Sequence, residues 1–279
     1  MKKYIRKADI ATYRSYLISE EKSTATIEKY MRDIMKFCKF AAGHAITKEL
    51  TIAYKALLST EHLTASVNSM LVATNGFLLF VGCADCRVKL VKTQKKMFCK
   101  NDQELTKEEY LRLVNAAEKH GNERMSLILK TLCGTGMRVS ELSYITAEAV
   151  YAGRAELCLK GKTRSVFITG SLKKQLIRYI KKKNIRFGAI FVTKGGKPVN
   201  RSNIWRTMKM LCVYAKVNKK KVFPHNLRHL FARTFYRVRK DIAKLADILG
   251  HSSVETTRIY LVEAGEDHAR IVARMGLVV

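Results

Sequence analysis

The sequence predicts a mainly α-helical protein of two domains, with a small β-hairpin in the second. The chain has 279 residues, which is more than one typical core needs. Apolar residues recur at helical spacing in the first part of the chain. One stretch of the second part, AELCLKGKTRSVFITG, places two β-leaning runs around a Gly-Lys turn.

Residues 1–82 are predicted to form a small unit of four helices. Thr47 and Thr64 stand where N-caps would precede two helices, at about 48–58 and 65–80. The clearest helix carries its apolar residues at spacings of three and four, which is the stripe of an amphipathic helix. These residues are Ile27, Tyr30, Met31, Ile34, Phe37, Cys38 and Ala41.

Residues 83–104 lose this periodicity and gain lysines, so they are predicted to be an exposed basic linker. A capping box, T-x-x-E from Thr106 to Glu109, then opens the second domain, which is predicted over 105–279. Within it, AELCLKGKTRSVFITG is predicted to be a hairpin and AIFVT a short strand; helices dominate on either side.

The charge of the chain predicts a polyanionic partner, and nucleic acid is the leading candidate. The formal net charge is +30, from 53 Lys and Arg against 23 Asp and Glu. Residues 157–240 contain 24 Lys or Arg and no Asp or Glu, which excludes a carboxylate metal cluster there. Apolar side chains interrupt this basic stretch, so a folded surface is favoured over a disordered tail.

Seven cysteines at irregular spacing predict reduced thiols rather than a disulfide framework. Cys83 and Cys86 form a C-x-x-C pair, but no second pair follows, so we expect neither a metal nor any other cofactor. The N-terminus lacks the apolar run of a secretory signal, and the most apolar run is too short to span a membrane. These features predict a cytoplasmic, nucleoid-associated protein.

Two basic motifs come before the end of the chain. In PHNLRHLFARTFY a helix begins at Pro224, so that His225, Arg228 and His229 share one face. In GTGMRVSEL, Arg138 stands where a Gly-rich turn enters a helix, a place that favours an anion. Glu141 follows three residues later and can orient the Arg138 guanidinium. Alone, each motif is also compatible with a solvated or structural role.

The stretch LGHSSVETTRIYL predicts a tight corner followed by a helix. Gly250 ends one helix, and Ser252 with Glu255 forms a capping box for the next. His251 therefore lies in the corner, and Tyr260 comes two turns into the second helix. A single tyrosine there is usually a packed aromatic. With two arginines to hold a phosphate, histidines to move protons and a lysine to protonate a leaving oxygen, it is also a candidate nucleophile without any metal.

In this order the motifs resemble the tyrosine recombinase (phage integrase) family, in Xer-like or mobile-element integrase form. The resemblance implies a helical core-binding domain plus a catalytic domain, joined as a C-shaped clamp around duplex DNA. It implies strand cleavage and rejoining through a 3′-phosphotyrosine and a free 5′-hydroxyl. Carried onto this sequence, Tyr260 is the nucleophile, Arg138 and Arg228 bind the scissile phosphate, His225 accepts a proton or binds phosphate, and His251 adds a hydrogen bond.

Several assignments stay open. Lys160 is favoured over Lys162 as the catalytic lysine, since this hairpin is shorter than the form common in Xer-type members; Glu141 and His229 are expected to support the site from behind. The resemblance implies a tetramer on two specific double-stranded DNA sites, with a C-terminal tail that docks on a neighbour, and leaves the need for an accessory DNA-bending protein open. Alternatives are a type IB topoisomerase and a non-catalytic DNA-binding regulator.

Overall fold

The computed structural model describes residues 3–93, 104–159, 162–193 and 195–258 together with residue 260, and for residues 159 and 162 only the backbone. Two compact units make up the chain, residues 1–95 and residues 96–279. Both are mainly helical in the described ranges, as the sequence predicts. None of the described helices has the length and apolar character needed to cross a membrane.

Among its described residues, the first unit has four α-helices and a short 3-10 helix, Ala84–Cys86, around one apolar core. The amphipathic stripe correctly predicts the helix Thr24–Phe40, in which Ile27, Ile34 and Phe37 are buried. The hydroxyl of Thr47 accepts a hydrogen bond from the amide of Leu50 and caps the next helix, as predicted. The helices are α1 (Lys7–Ser19), α2 (Thr24–Phe40), α3 (Lys48–Glu61) and α4 (Thr64–Phe80).

The prediction that Thr64 caps α4 is wrong by one residue. Thr64 is the first residue of the helix, Leu63 occupies the cap position, and no side chain caps this end. Seven residues of α4 are buried, so packing of its apolar face holds the helix without a polar cap.

Residues 83–93, the first half of the predicted linker, are partly buried rather than fully exposed. Cys83 and Val88 are buried in the core of the first unit. The side-chain amides of Asn75 and Asn68, two turns apart on α4, each exchange two hydrogen bonds of 2.8–3.0 Å with the backbone of Val88 and of Val91. This pairing satisfies the backbone of an otherwise irregular segment and holds it on the helix. The rest of the predicted linker, 94–103, lies outside the described residues.

Most helices of the second unit pack around one large core that runs from Leu105 to Leu230, and a smaller apolar cluster contains Ala232, Leu245, Leu249 and Tyr260. The predicted capping box opens its first helix, because Thr106 and Glu109 satisfy each other's backbone amides. A 3-10 helix spans Val139–Tyr144. The α-helices are α5 (Lys107–Lys119), α6 (Glu123–Thr135), α7 (Ala147–Ala152), α8 (Gly170–Lys182), α9 (Arg201–Ala215), α10 (Pro224–Arg239), α11 (Ile242–Leu249) and α12 (Val254–Arg258).

The predicted hairpin is confirmed: β1 (Arg154–Leu159) pairs antiparallel with β2 (Lys162–Phe167). The strand predicted for AIFVT is not found. Only isolated bridges occur there, Thr146 with Ala189 and Val192 with Pro198. Pro198 has no amide to extend a ladder, and burial of Ile190 and Phe191 holds the segment instead.

Candidate active site

The first part of the candidate site forms where α6 ends. Gly136 ends the helix with a left-handed φ of +65°, and an added Cβ would overlap the ring of Phe231, so only glycine fits there. Arg138 then precedes the 3-10 helix rather than an α-helix. Its amide and its guanidinium both donate to the carboxylate of Glu141, at 2.7 and 3.0 Å. Glu141 is fully buried, so the structure places the pair together as the spacing predicts.

Arg164, on β2, also contacts the site, although the sequence patterns do not predict this. It donates from Nη2 to the second carboxylate oxygen of Glu141 and from Nη1 to the carbonyl of Ile248. The fully buried carboxylate thus lies between two guanidinium groups. A signal existed in the strand pattern: Arg164 stands two residues from buried Val166 and opposite buried Leu157, which puts it on the inner face of the hairpin.

Arg228, on α10, forms the floor of the candidate site. Arg228 is 1% exposed, and its guanidinium donates hydrogen bonds of 2.7 Å to the carbonyls of Gly136 and Leu249. Its Nη2 also lies 2.8 Å from Nε2 of His251. Nε is buried without a partner among the described residues. Burial and, second, the charge of Arg138 lower the pKa of Arg228, so this is a cation that its surroundings stabilise only in part.

His251 lies in the predicted corner between α11 and α12. Gly250, with φ +66°, ends α11 as predicted. Because the Arg228 guanidinium can only donate, Nε2 of His251 must accept, and Nδ1 donates to the hydroxyl of Thr257 at 2.8 Å. Burial, followed by Arg228, lowers the pKa of His251 to about 4, so the ring is neutral at neutral pH.

The helix begins one residue later than the predicted capping box of Ser252 and Glu255 requires. The amide of Glu255 donates to the hydroxyl of Ser253, at 3.2 Å, and α12 begins at Val254. The shift leaves the corner itself unchanged, because Gly250 sets its direction through its left-handed backbone.

Tyr260 follows α12 and is 5% exposed. One side of its environment is apolar and includes Ala232, Leu245 and Leu249. The other side is formed by imidazoles: the ring centroid lies 4.4 Å from that of His229, 5.5 Å from that of His251 and 5.7 Å from that of His225. The hydroxyl interacts with Arg228, since its hydrogen bond and charge raise the Arg228 pKa against the larger effect of burial.

The two histidines of α10 complete the cluster. The rings of His225 and His229 are 4.8 Å apart. Burial is the main cause that lowers the pKa of both, and it brings that of His229 to about 4. Arg228 and Arg138 add to the effect on His225. Among the residues that the structure describes, no group of His, Cys, Asp or Glu side chains is arranged to hold a metal ion.

The structure therefore brings together most of the predicted site and leaves the lysine undetermined. Lys160 lies outside the described residues, and so does the side chain of Lys162. Thr257 and Arg164 are additions. The predicted residues that converge are Arg138, Glu141, His225, Arg228, His229, His251 and Tyr260.

Comparison with known proteins identifies the family. The model of the phage integrase family matches residues 103–266, more than half of the chain. The tyrosine recombinase XerA of Pyrococcus horikoshii is 30% identical over 258 residues, which cover 89% of this chain and 86% of that protein.

Solved structures share the fold. A lambda integrase tetramer bound to a Holliday junction superposes with a TM-score of 0.74 at 17% identity, over 91% of this chain and 76% of that one. A XerH site-specific recombinase in a pre-cleavage complex with its difH substrate gives a TM-score of 0.69 at 18% identity, over 92% and 82%. The chain therefore belongs to the phage integrase family of tyrosine recombinases.

Proposed function

We propose that this recombinase cleaves and rejoins duplex DNA at specific sites, with Tyr260 as the nucleophile. The phenol attacks the scissile phosphorus, the bond to the 5′ oxygen breaks, and a 3′-phosphotyrosine and a free 5′-hydroxyl result. Reversal by another 5′-hydroxyl rejoins the strand without ATP, because the phosphotyrosine conserves the bond energy. The observation that carries this proposal is the position of Tyr260, whose ring centroid lies 4.4–5.7 Å from those of three histidines, one of which binds the buried guanidinium of Arg228.

Electrostatics support a phosphate site at Arg228 and Arg138. Arg228 binds two carbonyls and a neutral imidazole and lies beside the Tyr260 hydroxyl, so no carboxylate among the described residues neutralises this buried cation. Arg138 keeps a side chain that is 43% exposed, while Glu141 holds it from behind. A phosphate between the two guanidinium groups would receive charge-assisted hydrogen bonds, and the buried Nε of Arg228 is a free donor among the described contacts.

The imidazoles support proton transfer. The pKa of His225 lies below its ordinary value, so at neutral pH its ring is free to accept a proton from an attacking phenol. His251 is neutral as well and can support a phosphate oxygen only after exchanging its contact with Arg228. His229 packs against the Tyr260 ring at 4.4 Å and holds its position. Lys160, with Lys162 as the alternative, is proposed to protonate the departing oxygen.

The low exposure of Tyr260 has two readings, and its neighbours separate them. A purely structural aromatic would be enclosed by apolar side chains, as on the side of Leu245 and Leu249. Here the other side of the ring and its hydroxyl meet imidazoles and a guanidinium, which is a costly environment for a core residue and a useful one for a nucleophile. We infer that DNA binding opens the site to the phosphate.

The partner and assembly follow from charge and from the relatives. Double-stranded DNA fits the net charge of +30. We propose a tetramer on two DNA sites, supported by the lambda integrase tetramer on a Holliday junction. The tail expected to dock on a neighbour lies outside the described residues. A DNA substrate puts the enzyme in the cytoplasm at the nucleoid, and the need for an accessory DNA-bending protein is left to reconstitution.

The test is covalent trapping on nicked suicide duplexes made from the DNA that flanks the gene. Wild-type enzyme is expected to form a protein–DNA adduct, and Tyr260→Phe to lose it while keeping its affinity for the duplex. Tyr236→Phe is the matched control, since Tyr236 packs beside the same cluster and should keep cleavage. Adduct formation by Tyr260→Phe at the wild-type rate would refute the assignment.

A further inference from the structure

Arg164 links three parts of the second unit that meet at the candidate site. It projects from β2, its Nη2 binds Glu141 after α6, and its Nη1 binds the carbonyl of Ile248 at the end of α11. The two contacts lie 23 and 84 residues away in the sequence. The side chain is 14% exposed, so this is not a solvated surface arginine of the kind that contributes little.

The Arg164 side chain also fills the corner that carries His251. A Cβ added to Gly250 would overlap Cδ of Arg164, and its left-handed backbone, φ +66°, also favours glycine. Gly250 separates Ile248 and Leu249, whose carbonyls receive Arg164 and Arg228, from His251. The position of His251 therefore depends on a turn that packs directly against Arg164.

Arg164 also acts on Arg138, through the carboxylate of Glu141. One of its oxygens receives Nη1 of Arg138 at 3.0 Å, and the other receives Arg164 as well as the amide of Arg138. Without Arg164, a fully buried carboxylate would lose one of its two cationic partners and would have to find another donor. The nearest consequence is a change in the orientation of Arg138.

We propose that Arg164 is a positioning residue for DNA cleavage, which orients Arg138 through Glu141 and His251 through the turn at Ile248–Gly250. The proposal rests on the function proposed above. Both Nη groups of Arg164 already donate to protein acceptors, so we assign it a positioning role rather than a contact with the substrate. It makes the hairpin that carries Lys160 part of the same rigid framework as the two phosphate-binding arginines.

The first test compares single-turnover adduct formation by Arg164→Ala and Arg164→Lys with that of wild type. A displacement of about 1 Å at a reacting group can lower a rate about 100-fold, so we expect a loss of that order for Arg164→Ala with duplex affinity within about threefold of wild type. Arg164→Lys keeps a charge but not the fork that reaches both acceptors, so we expect an intermediate loss of cleavage in a variant that still folds. The matched control is Arg154→Ala, on β1, whose side chain is 64% exposed and which should cleave normally.

The second test is a double-mutant cycle with Glu141→Gln. If Arg164 acts through Glu141, part of the two losses is shared, so Arg164→Ala should cost clearly less in the Glu141→Gln background than in wild type. Fully multiplicative losses, or wild-type cleavage by a folded Arg164→Lys, would overturn the proposal. Failure of wild type to form any adduct would instead overturn the proposed function, so the two failures are distinguishable.

Discussion

Replacing Thr257 by valine removes one hydroxyl from the support of His251 and changes little else. Thr257 is fully buried, and valine has nearly the same shape, so no cavity is created. The lost contact is the 2.8 Å hydrogen bond between Oγ1 and Nδ1 of His251. The imidazole cannot compensate by changing tautomer, because a proton on Nε2 would point at the Nη2 donor of Arg228.

A buried N–H that loses its acceptor costs about 1–3 kcal/mol of unfolding free energy. With a urea m-value of about 2 kcal/mol/M, a loss of about 2 kcal/mol lowers the unfolding midpoint by about 1 M. We also expect slower DNA cleavage, because His251 is no longer held toward Arg228. The variant tests whether the His251 corner is held by this bond.

Trp205 makes the assay specific to the second unit. It is the only tryptophan of the chain and lies on α9, so its fluorescence during a urea titration reports that unit. The matched control is Thr256→Val, the same substitution at the neighbouring exposed position, where we expect a change within about 0.5 kcal/mol. Equal losses in the two variants, or a loss below about 0.5 kcal/mol in Thr257→Val, would show that this hydrogen bond does not hold His251.

Two further predictions concern the same unit. Gly136→Ala is expected to destabilise the unit by about 1–3 kcal/mol, because a side chain at φ +65° is strained and overlaps Phe231. Gly170→Ala, with open space around the residue, should be neutral. A urea titration that finds the two variants equally stable would contradict this. The pKa of His229 falls from 6.5 in the unfolded chain to about 4 in the folded unit, so the unfolded chain binds the extra proton. The free energy of unfolding should therefore be constant above about pH 6.5 and fall as the pH drops toward 4. His229→Gln should make this fall less steep. An unchanged slope would show that His229 does not titrate as described.

Local patterns predicted the parts of the site that depend on neighbouring residues. The left-handed cap at Gly250 and the pairing of Glu141 with Arg138 both follow from spacings of a few residues. Caps were misplaced by one residue at Thr64 and Ser252, where packing or a neighbouring serine decides the boundary. AIFVT has strand-like composition but no neighbouring strand to pair with among the described residues.

Long-range contacts could not be read from the sequence. Arg164 reaches acceptors 23 and 84 residues away, and no local spacing encodes such a contact. The nature of Tyr260 was equally undetermined, because a packed aromatic and a nucleophile need the same residue type. Only the folded chain shows a ring with Leu245 and Leu249 on one side and with His229 and Arg228 on the other.

Mass spectrometry of the trapped adduct identifies the nucleophile. Trypsin should release residues 259–270, IYLVEAGEDHAR, a peptide in which Tyr260 is the only tyrosine. We expect this peptide to carry the 3′-phosphoryl nucleotide of the cleaved strand. Recovery of the peptide unmodified, with the nucleotide on another residue of a cleaving wild-type enzyme, would contradict it.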